Sequence, residues 1–167
     1  ISDSFQAVIN RDRSLIEKVS YVEDYLDFLN KEMGNVVISI DGRPEVHDRM
    51  RPTVNGKGSY STIVPKFQHF VEKREGKGYY LRGTYTHNNP DFTNDIFHML
   101  DLGFDQLSME PVVCAPEDPY ALTKEDLPVL FEQYEILAKA QIERRREGRP
   151  FTFYHYMLNL EHGPCVY

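Results

Sequence analysis

The sequence predicts an α/β fold made of parallel strands joined by crossover helices. Three observations carry that prediction. Residues 36–41, 79–86 and 106–113 are short stretches rich in β-branched, aromatic and aliphatic side chains, the composition that suits strands. Each is followed by a segment whose apolar residues recur at helical spacing. The stretches between strands are long enough to hold a helix, as a parallel crossover requires and a hairpin does not. A barrel-type layer is the leading architecture and an open doubly wound sheet is the second.

The elements follow in order. Leu15, Val19, Val22, Leu26, Leu29 and Met33 stand at steps of four and three, one face of a helix over 14–33 that stops at Gly34. Strand 36–41 comes next. Ile63, Val64, Phe67, Phe70 and Val71 mark a helix over 60–74, with Pro65 placed in its first turn, where a missing N–H costs little. Strand 79–86, "YYLRGTYT", precedes a short helix that Thr93 caps and Gly103 closes. Strand 106–113 precedes a long helix from a capping box at Thr123 and Asp126 to about Arg146. Gly148-Arg149-Pro150 breaks that helix, and "FTFYHYM" reads as a fourth extended segment.

Bulk properties limit the function. A chain of 167 residues suits one domain with a real core. A net charge of -7 argues against a general nucleic-acid binder. No apolar run is long enough to cross a membrane, and the first residues have no signal-peptide pattern. Two cysteines cannot make a disulfide framework, so a cytoplasmic protein is expected. Cys114 reads as a small buried hydrophobe. "NGKGS" is not a phosphate loop, because Gly58 stands where a hydroxyl residue should follow Lys57. The spacing of His155, His162 and Cys165 matches no standard zinc finger.

The strand ends carry the candidate site, since chemistry in barrels sits at the carboxyl ends of strands. Side chains alternate faces along a strand. Ser39 and Asp41 therefore share a face, as do Arg82, Thr84 and Thr86, and Ser108 and Glu110. Pointing inward, these faces would converge on one polar pocket. Taken singly, Asp41-Gly42 is a common turn and its charged tail a solvated loop. Arg82 alone reads as an ion-pair partner of Glu110. Polar groups on all three strands favour a site.

"SIDGRPEVHDRMRP", "NGKGSY", "YYLRGTYTHNNPDF", "LGFDQLSMEPVV" and "HGPC" occur in that order. Together, from about Asn35 to Tyr167, they resemble the second half of a radical S-adenosylmethionine enzyme with a SPASM-type auxiliary-cluster extension. Within that class they resemble the maturases that install thioether cross-links in the six-cysteine SCIFF peptides.

The resemblance implies a partial (β/α) barrel over 1–150 and the start of the auxiliary iron–sulfur region over 151–167. It implies S-adenosylmethionine beside Ser39, with Asp41 and Gly42 shaping the turn and a charged loop bordering the cofactor and substrate. It places Arg82 near the carboxylate or ribose of the cofactor, a task that suits planar guanidinium donors. Glu110 would line the substrate side. Cys165 would ligate an auxiliary [4Fe-4S] cluster, for which a thiolate is apt. The implied chemistry is hydrogen abstraction from a ribosomally made peptide by a 5′-deoxyadenosyl radical, then thioether formation, with electrons from a ferredoxin or flavodoxin. Sulfatase or quinone-cofactor maturation, an iron-free barrel enzyme and a binding module are the alternatives. The family's C-x-x-x-C-x-x-C and Gly-Gly-Glu segments do not occur in this sequence. An interior fragment of a longer enzyme, inactive by itself, is therefore expected.

Overall fold

Ile38, Leu81, Leu107 and Phe153 lie side by side on neighbouring strands and are almost fully buried. This row is the centre of the protein. The computed structural model describes residues 22–157. Its elements are α1 (Val22–Glu32), β1 (Asn35–Ser39), α2 (Pro44–Met50), α3 (Tyr60–Glu72), β2 (Gly78–Tyr85), α4 (Thr93–Asp101), β3 (Gln106–Pro111), α5 (Leu127–Arg146) and β4 (Thr152–Phe153). All strand pairs are parallel and the order is β1-β2-β3-β4. The expected α/β half-barrel layer, with the three long strands as neighbours in sequence order, is what forms.

One face of the sheet is covered by helices. Leu26 of α1, Val64 and Phe70 of α3, Ile96 and Met99 of α4, and Leu130 and Leu137 of α5 join the strand row in one core. Burying an aliphatic or aromatic side chain of this kind contributes about 1.5–3 kcal/mol. The other face is more open, with Val37 47% exposed. Between the two, Gly83 has to be glycine. A Cβ there would sit 2.6 Å from the Ile40 carbonyl oxygen, which passes close over β2 as Ile40 N–H bonds the Arg82 carbonyl at 3.0 Å.

Several elements differ from the sequence expectation. The charged stretch after β1 is a helix, α2, not a loop. Pro44 stands at its start with φ already suited to helix, while its one apolar buried residue, Val46, leaves no periodic stripe to read. Pro65 lies in the second turn of α3 rather than the first, because the helix begins at Tyr60. The Ser61 carbonyl that loses its partner belongs to an exposed residue, where water can replace it. Thr93 is the first residue of α4, not its cap; its buried hydroxyl donates to Gln133 of α5 instead. Thr123 N–H and Oγ1 do donate to Asp126 Oδ2, at 2.8 and 3.0 Å, but the helix starts after that turn, at Leu127. The fourth strand is only Thr152–Phe153, followed by a 3-10 turn at Tyr154–Tyr156. Cys114 is exposed, since the chain leaves the sheet at Val112 and Val113 beside it is 96% exposed. Residues 14–21 of the first expected helix lie outside the described residues.

At the amino-terminal end of the strands, Arg74 closes the layer. Its guanidinium is buried, lies 5.2 Å from the Phe70 ring centroid, and donates to the carbonyls of Met33, Gly34, Lys77 and Gly78 at 2.6–3.2 Å. It thereby ties the α1–β1 connection to the α3–β2 connection. A buried charge is tolerated only when its donors are satisfied in this way. Arg74→Ala should lower stability in urea unfolding by roughly 3 kcal/mol, since bonds from a charged group are worth about 1.5–3 kcal/mol each. A loss under about 1 kcal/mol would show that the carbonyls find water equally well.

Candidate functional site

The strand register assembles the polar face. Ser39 pairs with Arg82, Arg82 with Ser108, and Thr84 with Glu110. In-register neighbours point the same way, so Ser39, Arg82 and Glu110 share the face opposite the helix-covered core. Ser39 and Arg82 are exposed, Ser108 is buried and Glu110 is half-buried. The direct Arg82–Glu110 ion pair does not form: Arg82 has no acidic partner within ion-pair distance among the described residues. Glu110 is engaged by Ser108 Oγ at 2.6 Å and by His155 Nε2 at 3.0 Å. Burial pushes its carboxyl up, but the Ser108 and His155 hydrogen bonds and the positive charge of Arg82 more than offset this and hold it below the usual range.

Asp41 stands at the same rim in a different role. Its side chain is buried. Arg51 donates to it through Nε at 2.6 Å and Nη2 at 3.1 Å, and the Thr84 backbone N–H donates to Oδ1 at 3.1 Å. The carboxylate is thus occupied by α2 and β2. It fixes the end of β1 and leaves the open face to Ser39.

Behind Asp41, a second buried polar group sets the direction of α2. The Asp41 N–H donates to His47 Nδ1 at 3.3 Å, which makes Nδ1 the acceptor and puts the proton on Nε2. That Nε2–H reaches Ser59 Oγ at 3.1 Å, and Ser59 Oγ donates to the Arg51 carbonyl at 2.6 Å. Burial pushes the His47 pKa below its ordinary value, with nearby Arg51 adding to the effect and Asp41 and Asp48 opposing it. The imidazole is therefore held neutral.

Gly42 makes the turn possible. Its φ is +121°, and a Cβ would fall 2.3–2.5 Å from atoms of the Asp95 side chain. This close approach lets Arg43 dock. Its backbone N–H and Nε both donate to Asp95 Oδ1, at 2.9 and 2.8 Å, and Nη2 donates to Asp91 at 3.0 Å. Burial disfavours the Arg43 charge, but Asp95 and Asp91 more than compensate and raise its pKa. Asp95 is fully buried and also accepts from Asn89, whose amide oxygen takes the Thr86 N–H and hydroxyl. The end of β1, the end of β2 and the start of α4 are so joined by one network.

The sequence reading selected Ser39, Asp41, Arg82 and Glu110. It missed His47, Arg51, Arg43, Asp95 and His155, which hold them. The only sequence signal for these is the density of charge after Asp41, and in the sequence His155 suggests no more than a zinc ligand. Cys165 and His162 lie outside the described residues. Among the described residues, no group of three His, Cys, Asp or Glu side chains could hold a metal ion. No described helix is long and apolar enough to cross a membrane.

Solved structures share this architecture. The chain superposes on anSMEcpe, an anaerobic sulfatase-maturating enzyme, with bound AdoMet at a TM-score of 0.67 and 17% identity. On anSMEcpe with bound AdoMet and Kp18Cys peptide the TM-score is 0.66 at 16% identity, and with Cp18Cys peptide it is 0.68 at 17%. What they share with this chain is the fold, a layer of parallel strands with flanking helices. Each match covers 80% of this chain, and the chain spans 37% of the length of each of these structures. No family model and no curated protein matches the chain.

Two outcomes test the rim. Gly42→Ala should destabilise by more than about 2 kcal/mol, the sum of left-handed strain and overpacking, measured by urea unfolding; a loss below about 0.5 kcal/mol would remove Gly42 from the design. The pH dependence follows from His47. A histidine whose folded pKa is depressed costs nothing while both states are neutral. Stability is therefore full above about pH 6.5 and declines as pH falls below it, where only the unfolded imidazole takes up a proton. His47→Gln should flatten that decline, and an unchanged slope in the variant would assign it elsewhere.

Proposed function

We propose that this chain is the second half of the barrel of a radical S-adenosylmethionine peptide maturase, with the cofactor and a peptide substrate on the open face of the sheet. One observation carries the reading: Arg82, an exposed guanidinium with no acidic partner among the described residues, stands in register between Ser39 and Ser108 at the strand ends. Unlike Asp41 and Arg43, it is not consumed by the fold. Its planar donors fit a carboxylate, and the exposed Ser39 hydroxyl fits a hydroxyl or amino group beside it, while Ser108 is spent on Glu110. That donor set suits the polar part of S-adenosylmethionine. Bound there, the cofactor would supply the 5′-deoxyadenosyl radical. Ser39 and Arg82 would orient it, Asp41 would keep β1 and β2 in register beneath it, and Glu110 would face the substrate.

The described residues do not fit an iron–sulfur cluster, because their only thiol is the lone exposed Cys114. In this reading Cys165 begins an auxiliary set, over residues 151–167, whose first part supplies β4 to the sheet. The electron donor would be a ferredoxin or flavodoxin.

Two products remain in view. The sequence motifs favour a thioether cross-link in a cysteine-rich ribosomal peptide. The structural likeness to a sulfatase-maturating enzyme with a bound peptide supports sulfatase maturation at least as strongly. Incubating the reduced, iron-reconstituted enzyme with S-adenosylmethionine and a cysteine-containing peptide separates them by mass spectrometry of the peptide. Formation of 5′-deoxyadenosine supports the class, and its absence with full cluster content would sink it.

The Arg82 assignment has its own test. Arg82→Ala in the complete enzyme should weaken S-adenosylmethionine binding by roughly 1.5–3 kcal/mol, the worth of a charge-assisted bond. Calorimetry giving the same affinity as wild type would take Arg82 out of the site.

A further inference from the structure

Behind Glu110 the hydrogen bonds run in one direction. An ionised carboxylate offers no proton, so the 3.0 Å contact with Glu110 Oε2 places the hydrogen on His155 Nε2. In the neutral ring Nδ1 is then the acceptor, and Tyr134 O–H, 2.9 Å away, donates to it. The Tyr134 oxygen can in turn accept from the Tyr85 hydroxyl at 3.3 Å. Burial, with Tyr85 alongside, pushes the Tyr134 hydroxyl pKa well above its ordinary value, so it stays a donor. Ser108 Oγ closes the other side of the carboxylate at 2.6 Å. His155 is also packed edge-on to Phe153 and stacked on Tyr134, with ring centroids 4.9 and 5.9 Å away, which fixes its plane.

We propose that His155 is a positioning residue: supplied by Tyr134, it fixes Glu110 as an oriented hydrogen-bond acceptor on the open face of the sheet. The proposal rests on the reading that this face receives the ligand. Its support is that the arrangement is built for orientation rather than for stability. The Glu110 side chain is 37% exposed and that of His155 25%, and partly exposed ion pairs contribute little to folding. Yet three elements remote in sequence, α5, β2 and the turn after β4, converge to hold one carboxylate. Among the described residues, the charged and titratable groups that face Glu110 are Arg82 from β2, Tyr134 from α5 and His155 itself.

The test is the titration of Glu110 itself, followed by NMR on protein labelled at the glutamate carboxyl carbons and assigned by the resonance lost in Glu110→Gln. Wild type should titrate below the ordinary value of 4.5. His155→Ala should move the midpoint up. His155→Gln, whose amide N–H can take the place of Nε2–H, should fall between the two, because it restores the donor but not the ring plane that Phe153 and Tyr134 fix. Circular dichroism reports folding. Should His155→Ala fail to fold, Tyr134→Phe takes its place and should give a smaller upward movement. A midpoint unchanged in His155→Ala, or in Tyr134→Phe as its substitute, overturns the proposal. So does a His155→Gln midpoint equal to that of His155→Ala, which would make the ring a packing element. No cofactor or peptide is present in this titration, so it can fail while the maturase reading stands, and the reverse.

Discussion

The carboxylate of Asp41, buried at the end of β1, holds three parts of the molecule at one point. It takes the Thr84 N–H from β2, the Arg51 guanidinium from the end of α2, and its own backbone N–H is held by His47. Without it, the Thr84 N–H and the Arg51 charge would lose their partner together. An uncompensated buried polar group such as that N–H costs about 1–3 kcal/mol, while the Arg51 side chain, 42% exposed, would turn to water. The position of Ser39, two residues back on the same strand, depends on this anchor. So does the path of Gly42 over Asp95, and with it the docking of Arg43.

Charge at this rim divides into two kinds. Arg43, Arg51 and Asp91 pair with one another or with the buried carboxylates of Asp41 and Asp95. Arg82 faces outward without an acidic partner among the described residues, and Glu110 keeps part of its carboxylate accessible. The first group builds a rigid edge. The second leaves one donor set and one acceptor on adjacent rows of the same face, which a ligand carrying both kinds of group could satisfy. This distinction, rather than the density of charge after β1, is what sets the open face apart as the proposed place for chemistry.

How much of this was legible in the sequence varies with the physical origin of each feature. The strands and their parallel order were readable because burial on one face imposes a pattern on consecutive residues, and helix-length spacers exclude hairpins. Ser39, Arg82 and Glu110 could be placed on one face from the period of two alone. The helix α2 could not be read, since it buries Val46 beside the polar His47 and so has no apolar stripe. Thr93 looked like a cap because its true partner, Gln133, lies 40 residues away. His155 reaches Glu110 across 45 residues. Contacts of that range leave no local signature, and they are what convert a row of polar residues into a site.

The register of the sheet also bears on how it assembles. Asn35 meets Gly78, Leu81 meets Leu107 and Gln106 meets Thr152, so no strand pairs with a near neighbour in the chain. Loop-closure entropy grows only with the logarithm of loop length, and the differences among these three closures amount to about 0.5 kcal/mol or less. That is too little to impose an order on the pairings. The order must come from the contacts each pairing brings. β2 has a five-residue ladder on both sides, whereas β4 adds two residues to β3. Assembly therefore has its natural centre at β2. The turn that carries His155 belongs to the weakest ladder of the described sheet, so the acceptor at Glu110 becomes fully dressed only when the last and shortest strand is in place.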